Sequence, residues 1–591
     1  MVRVYLGGTE GEQGMNRRQM LTAAAGTAAL AAAPAAAAFD SADGRLAALL
    51  ERHARSLQAF DGGSEANPLG DRSVAGRARF RAENTQRIAE LQGVDRAALS
   101  PAARIDRDTA AFVYGVLDDH LARPGTVDLD LRPSPYVVSQ MNGAYYWSPP
   151  RIGARAIQGR EVYLDGVAAL ARGIEQESER IVHDAAQGVI PPDFILAMTA
   201  AQVRALRDSA PQANPVLAPA YRADEALGEE GAALFRRIVA PALDRQTLAL
   251  DALVRRASDK AGVWAQPDGE ALYASSLYAN ITIRRAPGEL HRQGLEWVAA
   301  LSAEIDADLK RLGMSQGSVG ERIAALNLDP RFLQPNTDAG RAEVHRQAEA
   351  YLAASRARAS RAFTHLVDTP VEVRRMSTAT EDSSPVAFYN GPSGGAPGGV
   401  LLNLKTPSDL PSWRLPTLIH HEGVPGHHSQ AAVLDEVGGL SAFRRAARFS
   451  AWTEGWALYA EAMSDEIGAY EADPYGRIGY LQAQLWRAGR VVVDTGLHHE
   501  RWDREQAVAY MVDTVGELRG PTEREVNRYC VYPGQACCFM VGKQQIVASR
   551  EAARQAMGGR FRLGDYNDLV LRSGPLPMEV LDALVQQWSA A

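Results

Sequence analysis

Lysine is nearly missing from this chain of 591 residues: it occurs only at Lys260, Lys310, Lys405 and Lys543, so arginine carries almost all the positive charge. A GC-rich coding sequence accounts for that bias without a functional cause. Basic side chains are the minority overall, 63 against 71 acidic ones, for a formal net charge of −8. No basic block longer than a few residues follows the N-terminal region, which excludes the electrostatic footprint of a nucleic-acid binder. Cysteine is scarcer still. Cys530, Cys537 and Cys538 fall within nine residues, an odd and clustered set that builds no disulfide framework. Two of them are adjacent, and a bridge between neighbours strains the backbone, so all three are expected to be small buried hydrophobic groups. Beyond the N-terminus no stretch is long or apolar enough to cross a bilayer.

What is present begins with a targeting signal. Asn16-Arg17-Arg18-Gln19-Met20-Leu21 precedes an alanine-rich run from Thr22 to Ala38. Paired arginines, a modestly apolar stretch and then small residues form the layout of a twin-arginine export signal, with Ala36-Ala37-Ala38 as the cleavage site. Pro34 interrupts the run and its 17 residues barely span a bilayer, so cleavage is expected rather than anchoring. Residues 1–14 read as an over-extended start, with Met15 as the initiator.

With 46% hydrophobic and 23% charged residues, the rest can bury a large core. Segments 45–60, 105–121, 155–183, 224–257, 287–312 and 341–367 carry apolar residues at three- and four-residue spacing, which predicts long amphipathic helices. The stretch 133–150, rich in Pro, Tyr, Ser and Asn, reads as an ordered loop. Short strands are expected at 371–375, 385–389 and 400–404, the last two separated by a glycine-rich loop at 391–399. That loop lacks the Lys-Ser/Thr of a phosphate cradle and precedes a strand rather than a helix. A small sheet there can pair an edge strand with an extended peptide. The divisions expected are the signal at 1–38, a helical region at 39–380 and a metal-binding helical region at 381–591.

Chemistry concentrates at His420-His421-Glu422-Gly423-Val424-Pro425-Gly426-His427-His428. Imidazoles are favoured zinc ligands, and a carboxylate beside them can take a proton from water. In the usual H-E-x-x-H pattern the two histidines lie four apart on one helix face. Here the fourth position is Pro425. His427 is six residues after His421, which on a regular helix leaves the side chains roughly 120° apart. A regular helix therefore fails. Pro425 removes a helical hydrogen bond and Gly426 tolerates a wide turn, so a bulge over 423–426 can bring His427 beside His421. His428 is the alternative ligand, two turns on. A third ligand comes from Ala451-Trp452-Thr453-Glu454-Gly455-Trp456-Ala457-Leu458-Tyr459-Ala460-Glu461: Glu454 is the choice, and Glu461, two turns later, supports a ligand from behind.

His-Glu-x-x-Pro-Gly-His-His followed by Glu-Gly-Trp-Ala-Leu-Tyr-Ala-Glu resembles the bacterial DUF885 family, itself related to helical metallopeptidases of the thimet-oligopeptidase and angiotensin-converting-enzyme kind. The resemblance extends through the segments 487–498, Glu525-Val526-Asn527-Arg528-Tyr529, Pro533-Gly534-Gln535-Ala536, Gly542-Lys543 and Gly574-Pro575-Leu576-Pro577. It implies a mainly α, two-lobed helical body with a deep central cleft, a small β-sheet beside the metal-binding helix, one Zn²⁺ per chain and peptides as substrates. Two departures stand out: Asn567 where the family commonly has histidine, and Phe539 where it has tyrosine.

The expected function is thus a periplasmic zinc peptidase in which His421, His427 and Glu454 hold the ion and Glu422 acts as general base. Tyr529, with His498 second, is the candidate donor to the developing oxyanion, by the family resemblance. Arg487, Arg490 and Arg528 are candidates for a substrate carboxylate. Two alternatives are a zinc esterase or amidase on non-peptide substrates and a non-catalytic periplasmic metal-binding scaffold. No stable membrane insertion is expected after signal removal. No G-x-S-x-G elbow supports a serine hydrolase.

Overall fold

A helix that repeats apolar residues three and four apart buries one stripe, and most of this chain folds that way. In a computed structural model of the protein the described residues are 41–62, 67–365, 368–378, 380–381, 384–392 and 396–591. The export signal expected over 1–38 and the centre of the glycine-rich loop, 393–395, lie outside them. Among the described residues the architecture is mainly α with two small sheets. Among the described residues no helix is long and apolar enough to cross a membrane.

Helices that position the site are α1 (Arg160–Ala186), α2 (Ala240–Leu253), α3 (Pro287–Arg311), α4 (Asp338–Ala359), α5 (Leu415–Glu422), α6 (His427–Glu436), α7 (Ser450–Glu466), α8 (Pro474–His498), α9 (Arg519–Tyr529) and α10 (Cys538–Met557). Tyr163, Leu170 and Ile174 of α1 and Leu243 of α2 share a core of their own with Phe235. A larger core gathers Trp413, from the turn before α5, with Trp456, Leu485 and Val492 of the remaining helices.

Two helix expectations are corrected. Segment 224–257 is not one helix: Glu225–Leu234 passes through a π turn at Phe235–Val239 before α2 begins. Pro241 has no N–H to give the preceding turn, and the wider π turn absorbs the loss. Segment 341–367 stops early, at Ala359, where the chain turns to bury Ala362 and Phe363. The His365 N–H then donates to Asp568 at 2.8 Å instead of continuing the helix.

Strands β1 (Thr126–Val127) and β2 (Pro133–Ser134) pair antiparallel. The stretch 133–150 is more ordered than a loop, holding β2 and a short helix, Ala144–Trp147, with Tyr136, Val137 and Val138 buried. Strands β3 (Val371–Arg375), β4 (Ala387–Asn390) and β5 (Gly398–Leu402) form the second sheet in the order β3-β5-β4, with Val400 opposite both Val373 and Tyr389. Alternating burial along β4 turns Tyr389 inward, toward α6.

Helices α7 and α10 cross at two glycines. A Cβ on Gly455 would lie 2.6 Å from the Gly542 backbone, and one on Gly542 would lie 2.1 Å from the Ala451 carbonyl. Only at that distance do the Glu-Gly-Trp and Gly-Lys segments share an interface.

Candidate metal centre

The expected bulge is instead a complete break. Helix α5 ends at Glu422, residues Gly423 to Gly426 turn out of helical geometry, and α6 starts at His427. The turn is held from outside: Trp456 Nε1 donates to the Pro425 carbonyl at 2.9 Å, and the Ser355 hydroxyl donates to that of Val424. Gly426 passes so close to α5 that a Cβ would meet the His421 carbonyl oxygen at 1.9 Å. The break re-aims α6, and the His421 and His427 rings end perpendicular with centroids 4.8 Å apart.

Glu454, on α7, meets them. Its Oε2 lies 3.6 Å from His421 Nε2 and 3.5 Å from His427 Nε2. One donor atom from each residue fits within a mutual spacing of 4.8 Å. These distances are too long for hydrogen bonds. They match the separation, about 3.4 Å, of two ligands bound at about 2.1 Å to one tetrahedral ion. Glu454 Oε2, His427 Nε2 and Glu422 Oε2 are all buried without a hydrogen-bond partner. Buried polar atoms are seldom left so. Two imidazoles, a carboxylate and a neighbouring carboxylate are a donor set that fits a zinc ion.

Each imidazole is oriented from behind. His421 Nδ1–H donates to Glu461 Oε1 at 2.7 Å, and Glu461 Oε2 accepts from Gln484 Nε2 at 3.1 Å. His427 Nδ1–H donates to Gln430 Oε1 at 2.9 Å, with that amide fixed by its Nε2 donating to the Trp452 carbonyl at 3.3 Å. Both Nε2 lone pairs are thereby turned inward. Gln430 escaped the sequence reading, although its position three residues after His427 on one helix face is a signal for it.

Burial alone would drive His421 toward neutrality, but the Glu454 and Glu461 carboxylates outweigh it and raise the imidazole to about 9. Burial pushes Glu454 up, and the two imidazoles outweigh that too, holding it well below the usual carboxylate range. The other two histidines of the run are turned away. His428 accepts from the Tyr389 hydroxyl at 3.0 Å and donates to the Thr369 carbonyl at 3.1 Å, tying α6 to β4. His420 bonds the Tyr470 hydroxyl at 2.8 Å, and burial lowers it to about 4.

The downstream candidates differ in freedom. His498 accepts the Val263 N–H at Nδ1 (3.1 Å) and donates from Nε2 to the Tyr529 carbonyl (3.1 Å), so neither ring nitrogen is free for substrate. Its observable work is to hold α8 against the end of α9. The Tyr529 ring lies beneath the guanidinium groups of Arg490 and Arg528, 5.6 and 4.9 Å from its centroid, and its hydroxyl donates to Glu525 at 3.2 Å. Asp494 accepts from the Tyr273 hydroxyl (2.8 Å) and the Gly534 N–H (2.9 Å), anchoring the turn that leads into α10. Asn567 is saturated, accepting from Tyr459 at 2.9 Å and donating to the Ala362 carbonyl at 2.7 Å. Cys530, Cys537 and Cys538 are buried free thiols, and burial raises all three.

A helical body with a buried His-His-Glu cluster beside a small sheet defines the class: a mainly α protein with a candidate metal centre. The chain belongs to the DUF885 family, described as bacterial protein of unknown function, whose pattern matches residues 18–585. Its fold is similar to the crystal structure of a candidate lipoprotein from Colwellia psychrerythraea, with a TM-score of 0.85 and 29% identity over 93% of this chain and 99% of that one. A candidate lipoprotein of unknown function from Shewanella oneidensis shares the fold at a TM-score of 0.68 and 17% identity, over 92% of this chain and 99% of its own. No curated protein matches the chain.

Proposed function

We propose that the protein is a zinc-dependent peptidase of the cell envelope, holding one Zn²⁺ through His421, His427 and Glu454. The observation that carries this reading is the meeting of donor groups from α5, α6 and α7 next to Glu422, with one buried atom each of His427, Glu454 and Glu422 unpaired. Bound there, zinc supplies Lewis acidity toward a substrate carbonyl. Glu422 takes the proton of the attacking water and returns it to the leaving amine. Glu461 and Gln430 keep both imidazoles in the ligating tautomer. Tyr529 is the candidate donor to the carbonyl oxygen as its charge grows, because its bond to Glu525 is long for a hydroxyl donor and exchangeable. His498 is assigned no chemical step.

Export to the periplasm by the twin-arginine route completes the reading. It is supported by Arg17-Arg18 with the alanine-rich run behind them, and by the description of both solved neighbours as candidate lipoproteins. That route carries folded proteins, which suits a protein that takes up its metal before export.

The test combines metal analysis of the purified chain with digestion of a mixed peptide library and of an ester panel. Stoichiometric zinc and peptide hydrolysis are expected, with Glu422→Gln keeping its zinc and losing about three orders of magnitude in turnover. Ester cleavage with peptides left intact would replace the substrate class. A zinc-loaded chain inert toward both panels would make it a scaffold.

A further inference from the structure

Three arginines near the site were equivalent as sequence, and the structure separates them. Arg528 is neutralised: it donates to Glu525 Oε2 at 2.7 Å and Oε1 at 3.3 Å, and also to Gln535. Arg487 is half engaged, with Nη1 donating to the Ala483 carbonyl at 3.3 Å, Nη2 lying 3.8 Å from Glu461 Oε1, and Nε unpaired. Arg490 is only 3% exposed, yet its Nε and Nη2 have no hydrogen-bond partner, and among the described residues no carboxylate pairs with it.

Arg490 is linked to the candidate metal centre through Arg487. The Glu461 carboxylate that holds His421 also faces Arg487. Arg487 and Arg490, three residues apart on one face of α8, both lie over the Trp486 ring (4.9 and 5.3 Å) and the Phe539 ring (5.8 and 4.2 Å). The aromatic faces offset part of the cost of burying Arg490, but a desolvated cation without an anion stays unfavourable.

The identity of the unpaired atoms is specific. Nε and Nη2 form the side edge of the guanidinium, whose two parallel N–H groups match the two oxygens of a carboxylate. We propose that Arg490, with Arg487 beside it, receives the free α-carboxylate of the peptide substrate, so that cleavage occurs near the carboxyl end of a peptide rather than inside a long chain. This assignment rests on the peptidase reading and narrows its substrate class to short peptides with an unblocked C-terminus. Phe539 contributes the ring on which Arg490 is stacked most closely.

The test uses oligopeptides and dipeptides, each made as the free acid and as the C-terminal amide. On the zinc-loaded chain, kcat/KM and the product ends are read for acid and amide. On the metal-free chain, binding of the dipeptide acid and amide is followed by calorimetry, independently of turnover. A preference for the acid of about 10- to 100-fold is expected in both arms. Arg490→Gln should erase that preference with zinc content unchanged, and Arg490→Lys should restore part of it, because lysine keeps the charge but not the fork. Equal binding of acid and amide, or internal cleavage that ignores the amide, overturns the proposal. If no peptide is cut, the peptidase reading fails, and the binding arm still decides Arg490: selectivity lost in Arg490→Gln upholds the carboxylate site, and its absence discards it.

Discussion

His421 Nδ1 and Glu461 Oε1 stand 2.7 Å apart on neighbouring helices, both side chains buried, with the other nitrogen of the same imidazole, Nε2, turned to Glu454. A carboxylate behind a ligating histidine fixes its tautomer and raises its basicity. Glu461→Gln should therefore lower zinc affinity by about 10- to 100-fold without unfolding the chain. Competition against a chromophoric chelator measures this, with Glu454→Ala expected to lose more because it deletes a ligand. Wild-type affinity in the glutamine variant would leave Glu461 a structural acid only.

Tyr529 separates a chemical role from a packing role. Its ring keeps its contacts with Arg490 and Arg528 in Tyr529→Phe, and only the hydroxyl is lost. If the hydroxyl donates to the reacting carbonyl, kcat should fall by about two to three orders of magnitude with zinc content unchanged. A kcat within a factor of two of wild type would assign Tyr529 to packing.

The residue types of the centre were legible because ligation demands histidine and carboxylate at short spacing, and His421, His427, Glu454 and Glu461 occupy those positions on local patterns. The geometry was less so. Whether Pro425-Gly426 bulges a helix or ends it depends on Trp456 and Ser355, which reach the turn from distant segments. His498 looked available in sequence because its partners, Val263 and Tyr529, are 235 and 31 residues away. Arg487, Arg490 and Arg528 differ only in which acceptors the fold brings to them. The mainly α class and the three strands near residues 371–402 followed from periodicity, while the π turn at Phe235–Val239 required knowing that the helix continues through Pro241.

Asp582 sits in the helix Met578–Ala590, and burial raises its carboxyl to about 6 despite the bond from Gln545 Nε2 at 2.5 Å. A raised folded-state value means that the protonated acid is favoured by folding. That contribution is complete below about pH 4, the unfolded value, and is lost as pH climbs through 6. Asp582→Asn keeps an acceptor for Gln545 and cannot ionise. It should match wild type near pH 4 and exceed it by about 2 kcal/mol above pH 7. Urea denaturation at both pH values reads the difference, and a gap that is constant with pH would contradict it.

Gly426 is the position where the fold and the centre depend on the same missing atom. A Cβ there would lie 1.9 Å from the His421 carbonyl oxygen and 2.4 Å from that of His420, both backbone atoms that cannot rotate aside. The relief is a shift of α6 away from α5, and His427 is the first residue of α6. Gly426→Ala should thus cost about 3 kcal/mol in the metal-free chain and weaken zinc binding beyond the loss of stability. Gly438→Ala, with nothing within 4 Å of its added Cβ, is the matched control and should change stability by no more than about 0.5 kcal/mol. Denaturant unfolding and chelator competition on the two variants decide the matter: equal behaviour would mean that the α5–α6 break tolerates a side chain, and that His427 is aimed by Gln430 and Trp456 rather than by the close approach of Gly426.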